Sequence, residues 1–243
     1  MSIYQNITVI KIGDFFFKYR NKAFPVIIAI LFLLCRPVDL FRSPDLEVAK
    51  DAIAILISLS GLLLRALVVG YAYIKRGGVN KQVYAETLVT EGMFSICRNP
   101  LYVGNMLIYM GIFLLHGAPA VVVLGTALFY FIYICIIATE EKYLRNKFGT
   151  QYQAYADVTS RWFVDFNRFT AATKGMYFNY RKVIIKDYPT IFTTLLIILV
   201  LEEYKIYTET GVWHLPLIIA SLFCLVMMGF IRYLKKKRII TFE

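Results

Sequence analysis

This chain is dominated by apolar runs, and a run of roughly 17–25 residues is what an α-helix needs to cross a bilayer. Such runs fall at about 24–41, 52–74, 101–118, 119–139, 189–206 and 213–233. The fifth rests on a shorter clean stretch, 191–201, so five spans plus an interfacial helix fit the same pattern. Hydrocarbon offers the backbone no water to bond, which restricts spanning segments to helices and closed barrels. Segments of this length are helical, and the expected fold is all-α: a polytopic helical membrane protein with about six transmembrane helices.

The third and fourth runs form the most distinctive unit. Pro100 suits the first position of a helix, the apolar stretch behind it ends at His116-Gly117-Ala118-Pro119, a turn signal, and a second stretch returns to Glu140-Glu141. Two antiparallel helices about 8–10 Å apart bring Arg98 and Asn99 close to Glu140 and Glu141 at one membrane face. Gly104 and Gly111, seven apart on one helix face, permit close approach of a neighbouring backbone or of a ligand.

A net charge of +11 would suit nucleic acid, but the placement of the basic residues fits membrane orientation instead. Lys11, Lys18, Arg20, Lys22, Lys75, Arg76, Lys81, Arg98, the basic residues of the 140–188 connector and those of the tail fall on one side. Arg36, Arg42, Lys50 and Lys205 fall on the other. The positive-inside rule then puts both termini in the cytosol, and no nucleic-acid partner is expected. The first apolar run lacks a small-residue cleavage pattern and reads as a retained span rather than a signal peptide. Residues 7–22, with Phe15, Phe16 and Phe17 among lysines, read equally as an interfacial helix or a disordered tail.

Cys35, Cys97, Cys135 and Cys224 are widely spaced and only two histidines accompany them, so no metal site is expected. The absence of repeats and of Ser/Gly-rich linkers argues for one unit divided by role. Residues 1–74 and 166–243 each supply two spans, and 75–165 carry the polar motifs.

Several polar residues need explanation. Arg65 lies inside the second span, where an arginine requires a partner, either a carboxylate such as Glu140 or Glu141 or an anionic lipid headgroup. Arg98 reads as a positive-inside anchor or as a fork for a ligand carboxylate. Glu140 and Glu141 follow directly on an apolar run, where a carboxylate is costly unless a cation meets it.

Glu86-Thr87-Leu88-Val89-Thr90-Glu91-Gly92-Met93-Phe94, then Arg98-Asn99-Pro100-Leu101-Tyr102-Val103-Gly104, then Glu140-Glu141 with Phe148-Gly149, Tyr152 and Tyr155 resemble the isoprenylcysteine carboxyl methyltransferase and phospholipid methyltransferase superfamily. The resemblance covers roughly residues 60–160. It departs at Asn99 and Glu86, where the family carries histidines, and at Met93-Phe94, where a tyrosine is common. It implies a cytosolic cofactor pocket for S-adenosyl-L-methionine at the mouth of the helical hairpin. Carried over by position, Glu86, Thr87, Leu88, Val89, Gly92, Phe94, Arg98, Asn99, Pro100, Leu101, Tyr102, Gly104 and Glu140 would form that pocket. The implied reaction is methyl transfer to the headgroup of a membrane lipid or lipidated substrate, with Arg65, Glu141 and Arg161 as the catalytic candidates. Arg65 favours an anionic acceptor. An NADPH-dependent membrane reductase and a non-enzymatic transporter or scaffold are the competing readings.

Overall fold

The computed structural model describes residues 3–71 and 83–240, and Lys75, Arg76 and Lys81, used above for orientation, lie outside the described residues. Regular structure among the described residues is entirely helical: α1 (Ile7–Leu34), α2 (Pro44–Tyr71), α3 (Met93–Ile96), α4 (Pro100–His116), α5 (Thr126–Val158), α6 (Phe169–Ala172), α7 (Tyr180–Thr210) and α8 (Leu215–Lys236). A short π-helical turn, Val121–Gly125, leads into α5.

Four helical segments are long and apolar enough to cross a membrane: α2, Val121–Val158, α7 and α8. At 17 residues α4 is shorter. Length and composition therefore do not give α1 and α4 as full spans, and the expected six is not reached on those grounds. In α1, Lys18, Arg20 and Lys22 sit inside the helix ahead of its apolar end.

The first span is also displaced from expectation. Residues 7–22 continue directly into the apolar run as one helix, capped by Asn6, whose side-chain oxygen accepts from the Thr8 N–H at 2.9 Å. That helix stops at Leu34 rather than near 41, because Pro37 biases the residue before it away from helical geometry and the chain leaves in extended form at Cys35. The segment after Glu140-Glu141 continues α5, which breaks at Gly149 and resumes to Val158.

The hairpin forms as the sequence implies. Gly117 ends α4 in the left-handed conformation with φ 81°, and an added Cβ would lie 1.9 Å from the Val38 carbonyl oxygen. Aromatic rings fill the space between α1, α4 and α5: Phe129 lies 5.1 Å from Phe24 and 4.4 Å from Tyr109 by ring centroids, an arrangement that adds to the burial energy of each ring.

On the other side α4 lies along α2 at backbone contact. A Cβ on Gly104 would meet the Arg65 Cγ at 2.7 Å and the Gly61 oxygen at 2.9 Å, and one on Gly111 would meet the Ser58 Oγ at 2.1 Å. Both glycines are thus sites of helix packing.

Two polar clamps tie α2 to α7. Near one end Arg65 meets Asp187; near the other, Lys205 reaches Asp51 at 2.5 Å and Glu47 at 3.6 Å. Pro189 in α7 lacks an N–H, which frees the Ile185 carbonyl, and the Lys235 ammonium of α8 donates to that oxygen at 3.0 Å. With α1 held by α5, and α7 by α2 and α8, the two helices make no substantial contact with each other. They leave a cavity between them.

Candidate functional site

The cavity has a volume of about 800 Å³, within the roughly 300–1,000 Å³ usual for small-molecule sites. Its polar end is built from the start of α4 and the middle of α5. Phe94, Asn99, Leu101, Tyr102 and Glu140 line it there. Its apolar end runs between α1 and α7, past Ile28, Phe32, Ile112, Ile197 and Val200.

The adjacent glutamates point to different places, as successive residues of a helix must. Glu140 faces the cavity and accepts from the Tyr102 hydroxyl at 2.8 Å; that hydroxyl oxygen in turn accepts from the Arg20 Nη1 at 3.1 Å. Glu141 faces away and is buried. Arg161 bonds both its oxygens, at 2.7 and 2.9 Å, Arg98 donates to Oε1 at 3.2 Å, and Arg145 lies 3.5 Å from Oε2. With both oxygens occupied by guanidinium groups, Glu141 anchors structure. The bond to Glu141 raises the pKa of Arg161 above its ordinary value.

This knot fastens the extended chain after α5 beside the polar end of the cavity. Arg98 N–H donates to the Ser160 carbonyl at 2.8 Å, and the Asn99 amide donates to the Arg161 carbonyl at 3.1 Å. The Arg161 guanidinium stacks 3.8 Å from the Tyr4 ring centroid. Asn99, standing where the resembling family has histidine, spends its amide on this backbone contact.

Arg65 finds neither Glu140 nor Glu141. It forms a forked pair with Asp187, its Nε donating to Oδ2 at 3.1 Å and its Nη2 to Oδ1, while Nη1 donates to Asn105 at 2.5 Å and Nη2 to the Thr190 hydroxyl at 3.3 Å. Arg65, Asn105 and Thr190 line the middle of the cavity. Because the pair is locally neutral, this wall offers hydrogen bonds rather than net positive charge, and Arg65 does not by itself favour an anionic acceptor.

The remaining expected site residues are more dispersed. Arg98, Glu141 and Arg161 lie in the knot beside the cavity rather than on its lining. Glu86 and Thr87 are exposed; Leu88 packs with Ala85 and Tyr152, and Val89 with Met93 and Phe94. Gly92 begins α3 at φ 60°, Pro100 is buried at the start of α4, and Gly104 packs on α2. Arg20, Asn105, Tyr109, Tyr133 and Thr190, which line the cavity, and Asp187, which holds Arg65, are not among the residues expected from the sequence. Asp187 did leave a signal: an acid two residues before a proline at the head of an apolar run.

Cys97 is wholly buried, its Sγ 3.7 Å from the Arg161 carbonyl, and burial pushes its thiol up to about 11. The neutral thiol is the unreactive form. Native protein treated with a maleimide at pH 7 should therefore show little modification of Cys97 by peptide mass spectrometry, and unfolding in denaturant should expose it to labelling. Rapid labelling at pH 7 would contradict this packing.

Known proteins match the same region. The phospholipid methyltransferase family pattern matches residues 52–151. The cobalt-zinc-cadmium resistance protein CzcN of Cupriavidus metallidurans is 36% identical over 77 residues, 32% of this chain and 35% of that protein. The chain thus matches about a third of the length of this curated relative. No solved structure matches.

Proposed function

We propose that this chain, whose residues 52–151 match the phospholipid methyltransferase family pattern, is an integral membrane methyltransferase. It uses S-adenosyl-L-methionine at the Glu140 end of the cavity to methylate the polar headgroup of a lipid or lipidated acceptor entering from the bilayer. The observation that carries this reading is the cavity itself: one continuous space joins the family's motif residues to an apolar slot between α1 and α7.

The residues present fit such a donor. A carboxylate at Glu140 in a cavity that the rings of Tyr102, Phe94 and Tyr133 also line suits a ligand with ammonium and sulfonium charges, since both carboxylates and aromatic faces attract cations. When bound, the donor supplies an electrophilic methyl group, whose carbon–sulfur bond breaks as the bond to the acceptor forms. The protein's part is alignment and exclusion of water. Tyr102 fixes Glu140 by its hydroxyl bond, Asn105 and Thr190 offer polar atoms to an acceptor headgroup, and Ile197, Val200 and Ile28 accommodate an apolar chain. The basic residues around the mouth support a cytosol-facing site by the positive-inside rule, open to a soluble donor.

The test is calorimetry with S-adenosylmethionine and, separately, NADPH on purified folded protein. Binding of the first alone is expected. Glu140→Gln should weaken it by roughly 10-fold to 100-fold, the worth of a hydrogen bond to a charged group, without lowering the melting temperature. A folded protein that binds no S-adenosylmethionine overturns the proposal, and one that binds NADPH in its place favours the reductase reading.

A further inference from the structure

Arg20 comes from α1, outside the family-matched segment, and by position alone it is one more positive-inside charge. It belongs instead to the cavity. Phe17, Arg20, Asn21, Phe24 and Ile28 follow one another at helical spacing and all line it. A guanidinium at a membrane boundary ordinarily snorkels toward water. This one reaches across to the Tyr102 hydroxyl at 3.1 Å, its Cζ 4.6 Å from the Phe17 ring centroid.

Arg20 also differs from the other arginines nearby. Arg98 and Arg161 are bonded to Glu141 and Arg65 to Asp187, whereas among the described residues no carboxylate stands in ion-pair contact with Arg20. A guanidinium has five N–H donors in a fork matched to a carboxylate, and the protein contact made by this one engages Nη1. Its opposite charge, Glu140, lies one hydroxyl away, bonded to the same Tyr102. The cavity mouth therefore holds a cation and a carboxylate side by side, both directed at the same space and separated by a single phenol oxygen.

We propose that Arg20 and Glu140 form a receptor for an amino-acid zwitterion, Arg20 taking the α-carboxylate and Glu140 the α-ammonium of the methyl donor's amino-acid arm. The assignment rests on the donor reading above and adds a binding residue from a helix outside the family segment. Tyr102 holds the two charges at a fixed spacing, so the receptor is in place before the ligand arrives.

Two ligands separate this role from general support of the cavity. S-Adenosylhomocysteine carries the amino-acid arm; 5′-methylthioadenosine presents the same nucleoside without it. Wild-type protein should bind the first more tightly. Arg20→Met should weaken S-adenosylhomocysteine by roughly 10-fold or more while leaving methylthioadenosine unchanged, and Arg20→Lys, which keeps charge without the fork, should fall between. Unchanged methylthioadenosine binding also reports that the variant is folded. Equal weakening of both ligands, or of neither, overturns the assignment. Failure of the wild-type protein to bind either nucleoside overturns the donor reading itself.

Discussion

Glu141→Ala is expected to destabilise the protein by about 3 kcal/mol, the lower end of the cost of breaking a buried ion pair from one side. That would appear as a melting temperature lowered by roughly 6–12 °C for a chain of this size. The carboxylate is 5% exposed, and removing it leaves Arg98, 11% exposed, and Arg161, 23% exposed, without their counter-charge. Partial access of water to Arg161 and Arg145 keeps the cost from being larger. The mouth should loosen as well, because Arg161 is where the chain after α5 is held. Below its lowered melting temperature the variant's nucleoside affinity should fall far less than that of Glu140→Gln. The pair of neighbouring glutamates thus gives opposite signatures, stability for one and binding for the other. A Glu141→Ala protein that melts with the wild type would contradict the knot.

The second large effect is at Arg65 and Asp187. Either Arg65→Ala or Asp187→Ala should cost about 3–5 kcal/mol, because each leaves a buried charge uncompensated; Asp187 is 3% and Arg65 13% exposed in their side chains. Replacing both by apolar residues, Arg65→Met with Asp187→Leu, should recover much of that loss, since well-packed apolar groups often substitute for a buried pair at little cost. Melting of the singles and the double in detergent forms the cycle. Additive losses would mean that the two residues do not act as a pair. Because this clamp fixes α7 to α2, the singles should also weaken occupancy of the apolar end of the cavity, which α7 walls.

Much of this was legible from local sequence. The hairpin follows from Pro100, the Gly117 turn and two apolar runs, which act over short range. The meeting of Arg98 with Glu141 follows from equal arm lengths alone. The direction of each side chain was less accessible. Glu140 and Glu141 read as one acidic pair, although one helical step sends the first into the cavity and the second into a ring of arginines. Gly104, grouped with the ligand motif, faces α2 instead.

Arg65 shows the boundary most clearly. Its position inside an apolar run required a partner, because an isolated charge in hydrocarbon is too costly to keep. The run said nothing about which partner. Asp187 lies 122 residues away, and the contact exists only because α7 packs on α2 at that height. Arg20 is the same case: its charge alone marks a membrane side, and only the packing of α1 on α5 turns it inward to Tyr102 and the cavity.

The sequence by itself determined that the chain is helical and membrane-embedded, where the hairpin lies and which family its central segment matches, because helix formation, bilayer length and motif spacing are properties of contiguous residues. Only the tertiary structure decided which charges are spent on one another and which face the cavity. That depends on how helices far apart in sequence rotate and pack, and a buried charge is silent or available according to its neighbours in space.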